Sequence, residues 1–383
     1  MILRSSGSEI APLHDLSLKP HVKRFNDYPQ SILIHTLRKY FSLPRPLILI
    51  DPLPRTMASI FEPAIQAKLE SLGEVVVHES SPMPDDMIEK YLPEASIIMG
   101  QTKLPRERLM KAKKLRAIVN VETNFTDAID YDYCFANGIH VLTPGSAFAD
   151  VVAESALGMA IDLARGITKA DRDFRAGTES YGLDGNVGAF SLRGEHVGLI
   201  GYGDLARSFH KLVAPFHCQI SVYDPWVPDY VLEKNGCIPA KLETILSQCR
   251  VILVFAGVTS ENQGFIGRKE LSLIKPDAIF LLMSRAAVVD FPAFIEAVQA
   301  RKFLAATDVF PIEPVGKGDP VRKVDGLLLS AHRTGGMPDA LFDIGRQAVA
   351  DLELILKGLP PVVCRKALPE TVKRFRSKPV DIT

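Results

Sequence analysis

Four short segments of this chain carry side chains whose types and spacing could do chemistry. The first is Gly201-Tyr202-Gly203-Asp204-Leu205-Ala206, directly after the apolar HVGLIG (196–201) and before the helical LARSFHKLVAPF. Between a strand and a helix, a Gly-x-Gly-x-x-Ala turn binds a pyrophosphate. Gly201 permits the tight turn, Gly203 lets backbone amides approach the phosphates at the helix N-terminus, and Ala206 keeps helix and strand close. Asp224 ends the next apolar run, twenty-three positions beyond Gly201. A carboxylate there accepts the adenosine ribose hydroxyls and repels a 2′-phosphate, which favours NAD over NADP. Asp204 is out of place, because it sets a negative side chain beside the phosphates.

The other three segments each follow an apolar run. Ser284-Arg285 begins the second, and an arginine at the carboxyl end of a sheet strand lies where ligands bind; its planar fork suits a carboxylate and a neighbouring carbonyl oxygen. The third runs from Asp308 to Pro314 and the fourth from Ser330 to Gly336, so Glu313 and His332 stand nineteen residues apart on successive strand ends. A carboxylate beside an imidazole favours the protonated ring, a proton donor near neutral pH.

The elements that must position these groups form two α/β series. PLILID (46–51), EVVVHE (74–79), ASIIMG (95–100) and LRAIVNV (115–121) read as strands, with a helix over 60–73. A long, largely buried helix follows from Ala147, and 167–193 reads as a polar arm or crossover loop. Six further strands are expected at 196–201, 219–224, 251–257, 278–284, 303–310 and 326–331, with a closing helix over 339–358. That rhythm suits a dinucleotide-binding sheet. Residues 1–45 read as an extension with a single helical stretch at 31–41.

Composition bounds the function classes. A chain of 383 residues suggests two domains, and 47% apolar with 23% charged residues is an ordinary folded balance. Forty-five basic residues against forty-five acidic ones provide no global field for nucleic acid or an anionic membrane. No apolar run exceeds six residues, as in Ala278–Met283, far short of the ~20 that span a bilayer. The five cysteines are scattered without metal-ligand spacing, and the first sixteen residues lack the apolar stretch of a secretory signal. Reduced thiols, no metal and a cytoplasmic location are expected.

Taken together and in this order, the four segments resemble the D-isomer-specific 2-hydroxyacid dehydrogenase family, from about residue 46 to 358. The resemblance implies two Rossmann-like domains with doubly wound parallel sheets. An NAD domain (150–333) would be inserted in a split substrate domain made of 1–149 and 334–383. It implies Arg285, Glu313 and His332 as the substrate-binding arginine, the histidine's partner and the acid/base. Gly201, Gly203, Ala206 and the backbone of Asp204 and Leu205 would meet the cofactor's phosphates, and Asp224 its ribose. Asp308 would hold the nicotinamide amide, with Ala256, Gly257, Ser284 and Gly335 also on the cofactor side. Asn124, Phe125 and Thr126, with Arg285, would face a small 2-hydroxy or 2-keto acid of the glyoxylate, hydroxypyruvate or phosphoglycerate type. A homodimer is implied as well.

Departures from the family pattern bear on the substrate. The loop Val121–Asp127, usually glycine-containing, has no glycine; Phe125 would narrow the pocket, Asn124 could donate a hydrogen bond, and an inward Glu122 would repel an acid. Ala286 replaces a glycine and Gly257 a proline. Arg55, Lys103 and Arg106 are the candidates for a phosphate site. Three other readings compete: a formate dehydrogenase, whose histidine pairs with glutamine, against which Glu313 argues; an NAD(H)-sensing, non-catalytic binder of the corepressor type; and a degenerate NAD-binding scaffold.

Overall fold

The computed structural model describes residues 45–122 and 124–376; the helix expected over 31–41 lies outside them. The chain builds two sheets. The first contains β1 (Leu47–Asp51), β2 (Glu74–Val77), β3 (Ala95–Gly100), β4 (Ala117–Val119), β5 (His140–Thr143) and β13 (Arg365–Lys366), in the order β13-β5-β4-β3-β1-β2. All its pairs are parallel except β13, which runs antiparallel to β5 with Arg365 opposite Thr143.

The second sheet contains β6 (His196–Ile200), β7 (Gln219–Tyr223), β8 (Ile238–Pro239), β9 (Val251–Val254), β10 (Ile279–Leu282), β11 (Leu304–Thr307) and β12 (Leu327–Leu329). It is parallel, in the order β12-β11-β10-β9-β6-β7-β8. The order reverses between β6 and β9, and the carboxyl ends of strands beside such a reversal form a ligand crevice. The first sheet thus takes strands from both ends of the described chain, with the second sheet between them in sequence. This is the mixed α/β, doubly wound class expected.

Strand sequences explain the layering. β1, β9 and β10 are buried at every position, because helices cover both faces of a parallel sheet and leave no polar side. Among the described residues six helices reach eight residues: α1 (Pro63–Leu72), α2 (Ala149–Arg165), α3 (Ile167–Ala176), α4 (Asp204–Val213), α5 (Phe291–Gln299) and α6 (Pro338–Leu356). The small residues Ala153, Ala156, Ala160 and Ala164 form one buried stripe of α2, in the same core cluster as Ala206 and Phe209 of α4. Ile344, Ala348, Leu352 and Ile355 of α6 pack with Ile48 and Ile97 of the first sheet.

Several expectations change in detail. The stretch 60–73 is split, with a short helix at Met57–Ile60 before α1, because Pro63 starts a new helix at its first position. The arm after α2 contains α3, none of whose residues is buried. Strands β5, β8 and β13 were not anticipated. No helix of the described residues is long and apolar enough to cross a membrane.

Candidate active site

The turn after β6 is built as its glycines imply. Gly201 has φ +89°, and a Cβ there would lie 2.6 Å from the Ala256 backbone nitrogen, so only glycine fits beside β9. Gly203 caps α4, and its own Cβ position faces open space. Tyr202, between them, is buried, and its hydroxyl lies 3.0 Å from His210 Nδ1. Asp224 accepts the Tyr202 amide at 2.7 Å and the Trp226 amide at 2.8 Å, which ties the end of β7 to the turn. A carboxylate has roughly four acceptor sites, so two remain for ribose hydroxyls. Leu205 and Ala256 are half-buried and Gly257 is exposed at the same edge.

Asp308, at the end of β11, is 1% exposed. Its carboxylate accepts the Arg333 amide at 3.1 Å, the Thr334 amide at 3.3 Å and the Thr334 hydroxyl at 2.6 Å, and its carbonyl accepts the His332 amide at 2.8 Å. The carboxylate implied to face the nicotinamide thus also shapes the turn that carries His332. That turn puts His332 at φ +49°, a left-handed backbone uncommon outside glycine. His332 Nδ1 lies 2.5 Å from Glu313 Oε2, while Glu313 Oε1 accepts the Phe310 amide at 2.8 Å. The carboxylate can only accept, so Nδ1 carries the proton of this bond and Nε2 is the ring atom left for a ligand.

Arg285 completes the group. Its guanidinium donates to the Ser284 carbonyl at 2.7 Å. Surrounding protein pulls its pKa below the usual arginine value, opposed by the charges of Glu313 and Asp308. Arg285, Glu313 and His332 therefore converge from the ends of β10, β11 and β12. The Ser284 hydroxyl, next in sequence to Arg285, is buried without a hydrogen-bond partner among the described residues. Gly335 packs against Phe148 at the start of α2; a Cβ there would come within 3.2 Å of that ring.

The glycine-free loop behaves differently from the sequence expectation. Phe125 is 7% exposed, in the core cluster of the first sheet with its ring 6.4 Å from Tyr131, so it lines no opening with its face. Thr126 is also buried, and its carbonyl accepts the Tyr131 hydroxyl at 2.7 Å. What these two residues can offer a ligand is backbone. Asn124 accepts the Asn120 side-chain amide at 3.0 Å. Glu122 is paired with Arg55 through two contacts of 2.7 and 3.2 Å, which neutralises the charge that would repel an acid and occupies one phosphate candidate. Arg106 is likewise paired with Asp130 at 2.8 Å.

Sequence reasoning missed the end of the chain. Residues 371–376 cross from the first sheet's core, through Val372, to the loop after β9: Phe375 bridges to Thr259, and the Ser260 amide donates to the Arg374 carbonyl at 2.8 Å. Arg374 pairs with Glu261 and lies over the Trp226 ring at 4.6 Å. A single 3-10 turn at Val372–Arg374, a bridge and side-chain contacts make up this segment, so no periodicity announces it. Among the described residues no group of three or more His, Cys, Asp or Glu side chains could hold a metal ion.

Residues 157–334 match the family model described as "D-isomer specific 2-hydroxyacid dehydrogenase, NAD binding domain". The chain is 30% identical over 278 residues to a D-3-phosphoglycerate dehydrogenase of Archaeoglobus fulgidus, covering 71% of this chain and 51% of that protein. It is 27% identical over 319 residues to a glyoxylate reductase of Thermofilum pendens, covering 80% of this chain and 92% of that one. The chain thus spans about half the length of the first relative and nearly all of the second. Among solved structures, a phosphoglycerate oxidoreductase from Rhizobium etli is 40% identical with a TM-score of 0.78, covering 85% of this chain and 100% of that one.

Proposed function

The chain belongs to the D-isomer-specific 2-hydroxyacid dehydrogenase family, and from that premise we propose that it transfers a hydride between NAD(H) and a small D-2-hydroxy acid or its 2-keto acid. The observation that carries this reading is the 2.5 Å pair of His332 and Glu313, with Arg285 at the end of the neighbouring strand β10. The residues fit a dinucleotide: Gly201 keeps the turn tight against β9, where any Cβ would meet the Ala256 backbone, Gly203 leaves an open face, and the buried Ser284 hydroxyl lacks a partner. When bound, NAD(H) supplies or accepts the hydride at its nicotinamide.

The protein's own groups do the rest. The Arg285 fork holds the acid's carboxylate and polarises the carbonyl oxygen beside it. His332 Nε2 donates a proton to that oxygen in reduction and takes it back in oxidation, while Glu313 fixes the ring through Nδ1. Gly201, Gly203 and the Asp204 and Leu205 amides would hold the phosphates, and Asp224 the ribose. Neutralised Glu122 and the backbone of Asn124–Thr126 would bound the substrate, with glyoxylate, hydroxypyruvate or a phosphoglycerate-type acid as the candidates. We assign residues 150–333 to the NAD domain, flanked by the substrate domain. Exposed Ile167, Phe174, Tyr181, Leu183 and Val187 on α3 and the following arm suit burial in a homodimer of a cytoplasmic enzyme.

The test is NADH oxidation by the purified protein with glyoxylate, hydroxypyruvate, pyruvate, phosphohydroxypyruvate and a bulkier 2-keto acid, repeated with NADPH. Turnover with at least one acid is expected, with NADH preferred. Absence of turnover across the panel would overturn the reading.

A further inference from the structure

A short strand near the end of the chain places a cation against the phosphate-binding turn. Arg365 sits on β13 opposite Thr143 of β5. A Cβ on Gly145, just beyond β5, would lie 3.6 Å from Asp204 Oδ2, 3.6 Å from Thr143 Oγ1 and 3.7 Å from Arg365 Cβ. Asp204 is the first residue of α4, so these groups from both sheets converge beside that helix N-terminus. The Thr143 hydroxyl points into the same spot; the residue is 1% exposed and its oxygen has no hydrogen-bond partner among the described residues.

We propose that Arg365 is a cofactor-binding residue supplied from the substrate side, its guanidinium meeting the dinucleotide's pyrophosphate at the N-terminus of α4, where the Asp204 carboxylate competes with phosphate for it. The inference rests on the dehydrogenase reading above. The turn Gly201–Ala206 contains no cation, and its one charged side chain, Asp204, has the wrong sign for a phosphate. An acid in the first turn suits the helix dipole while the site is empty of anions. Arg365 supplies the missing charge, and its planar fork matches phosphate oxygens.

Its position is fixed from behind. The guanidinium stacks over Phe375 at 4.7 Å and Phe125 at 5.9 Å, which leaves its N–H edges directed away from the rings. Phe375 is anchored in turn by its bridge to Thr259 and its 5.5 Å edge contact with Trp226. The side chain remains open to solvent, yet surrounding protein pulls its pKa down, with Asp204 opposing that shift. An arginine stays charged throughout.

Equilibrium binding of NADH, and of ADP, which carries the adenosine and two phosphates without the nicotinamide half, separates this role from a simple latch between Asp204 and Arg365. Arg365→Gln should weaken both ligands about tenfold, the loss of one charge-assisted contact. Arg365→Lys should lose only part of that, and Asp204→Asn, which keeps the backbone amide and removes only the charge competing with phosphate, should bind both ligands more tightly. If both neutralising variants weaken binding alike, the pair is a latch and the proposal is wrong; unchanged binding in Arg365→Gln also overturns it. Should Arg365→Gln not fold by circular dichroism, Asp204→Asn decides alone: binding no tighter than the parent's refutes the proposal. A parent protein that binds no NADH sinks the dehydrogenase reading as well, whereas a parent that binds NADH leaves Arg365 alone under test.

Discussion

Replacing Glu313 by glutamine changes one oxygen into an amide and should cripple turnover while leaving the cofactor site intact. In the protein, Oε1 accepts the Phe310 amide at 2.8 Å and Oε2 accepts His332 Nδ1 at 2.5 Å, so both positions require an acceptor. Glutamine has one acceptor and one donor. With its oxygen kept on Phe310, its NH₂ faces Nδ1 and confines the ring to a single proton on Nε2, so the charged ring that donates to the keto oxygen in reduction is disfavoured. With its oxygen turned to His332, the Phe310 amide meets a donor. Either way the charged ring loses a charge-assisted hydrogen bond, worth roughly 1.5–3 kcal/mol. The pair is about one-third exposed, with side chains 42% and 32% accessible, which argues for the lower half of that range. A loss of about 2 kcal/mol corresponds to roughly 30-fold in kcat. The assay is steady-state NADH oxidation with the best keto acid, alongside NADH affinity by fluorescence titration. The expected result is a kcat loss of that order with unchanged NADH affinity. A Glu313→Gln enzyme retaining more than half its kcat would refute the tautomer argument.

Three further outcomes follow from the same geometry. Gly201→Ala forces a side chain into a left-handed turn, at about 1–2 kcal/mol, and against the Ala256 backbone at 2.6 Å; thermal melting should fall measurably and NADH binding should vanish, and a variant that melts and binds like the parent would contradict the close approach. Thr143→Val removes a buried hydroxyl that has no partner and should raise the unfolding free energy of the cofactor-free protein by about 1 kcal/mol, read from urea denaturation. Burial pushes the pKa of His196 and His210 below the usual histidine value of 6.5, so the unfolded chain takes up protons first as pH falls. Stability from these two residues is complete above pH 6.5 and declines on acidification through it; the urea midpoint should therefore fall on acidification, His210→Gln should flatten that slope, and a slope unchanged in the variant would exclude His210 as a contributor.

The parts of the fold legible in the sequence are those where one local pattern suffices. Strands such as AIFLLM are continuous apolar runs because two helical layers cover them, and the turn at Gly201 has a steric requirement that only glycine meets. Strands β8 and β13 are two residues long and have no pattern to read; their partners, not their own sequence, make them strands. Helix α3 hid in a charged, glycine-flanked stretch because it buries no apolar stripe in this chain. Among the site residues, Glu313 and His332 were legible because strand order alone brings successive strand ends together.

Charges were the least legible feature, for a physical reason. Whether a charge helps or harms a site depends on its nearest opposite charge, and folding chooses that neighbour from anywhere in the chain. Glu122 looked hostile to an acidic substrate until Arg55, sixty-seven residues away, was found against it. Asp204 still competes with phosphate, but the fold brings Arg365 toward it from the far end of the chain. Asp308 has a second role that no local pattern shows: besides its place at the crevice, its oxygens hold the amides of the His332 turn. A one-residue motif can therefore specify which side chains reach a crevice. The net field they present there is decided by pairings across the sheets, and Arg365 and Asp204 are where that field should decide how tightly a dinucleotide is held.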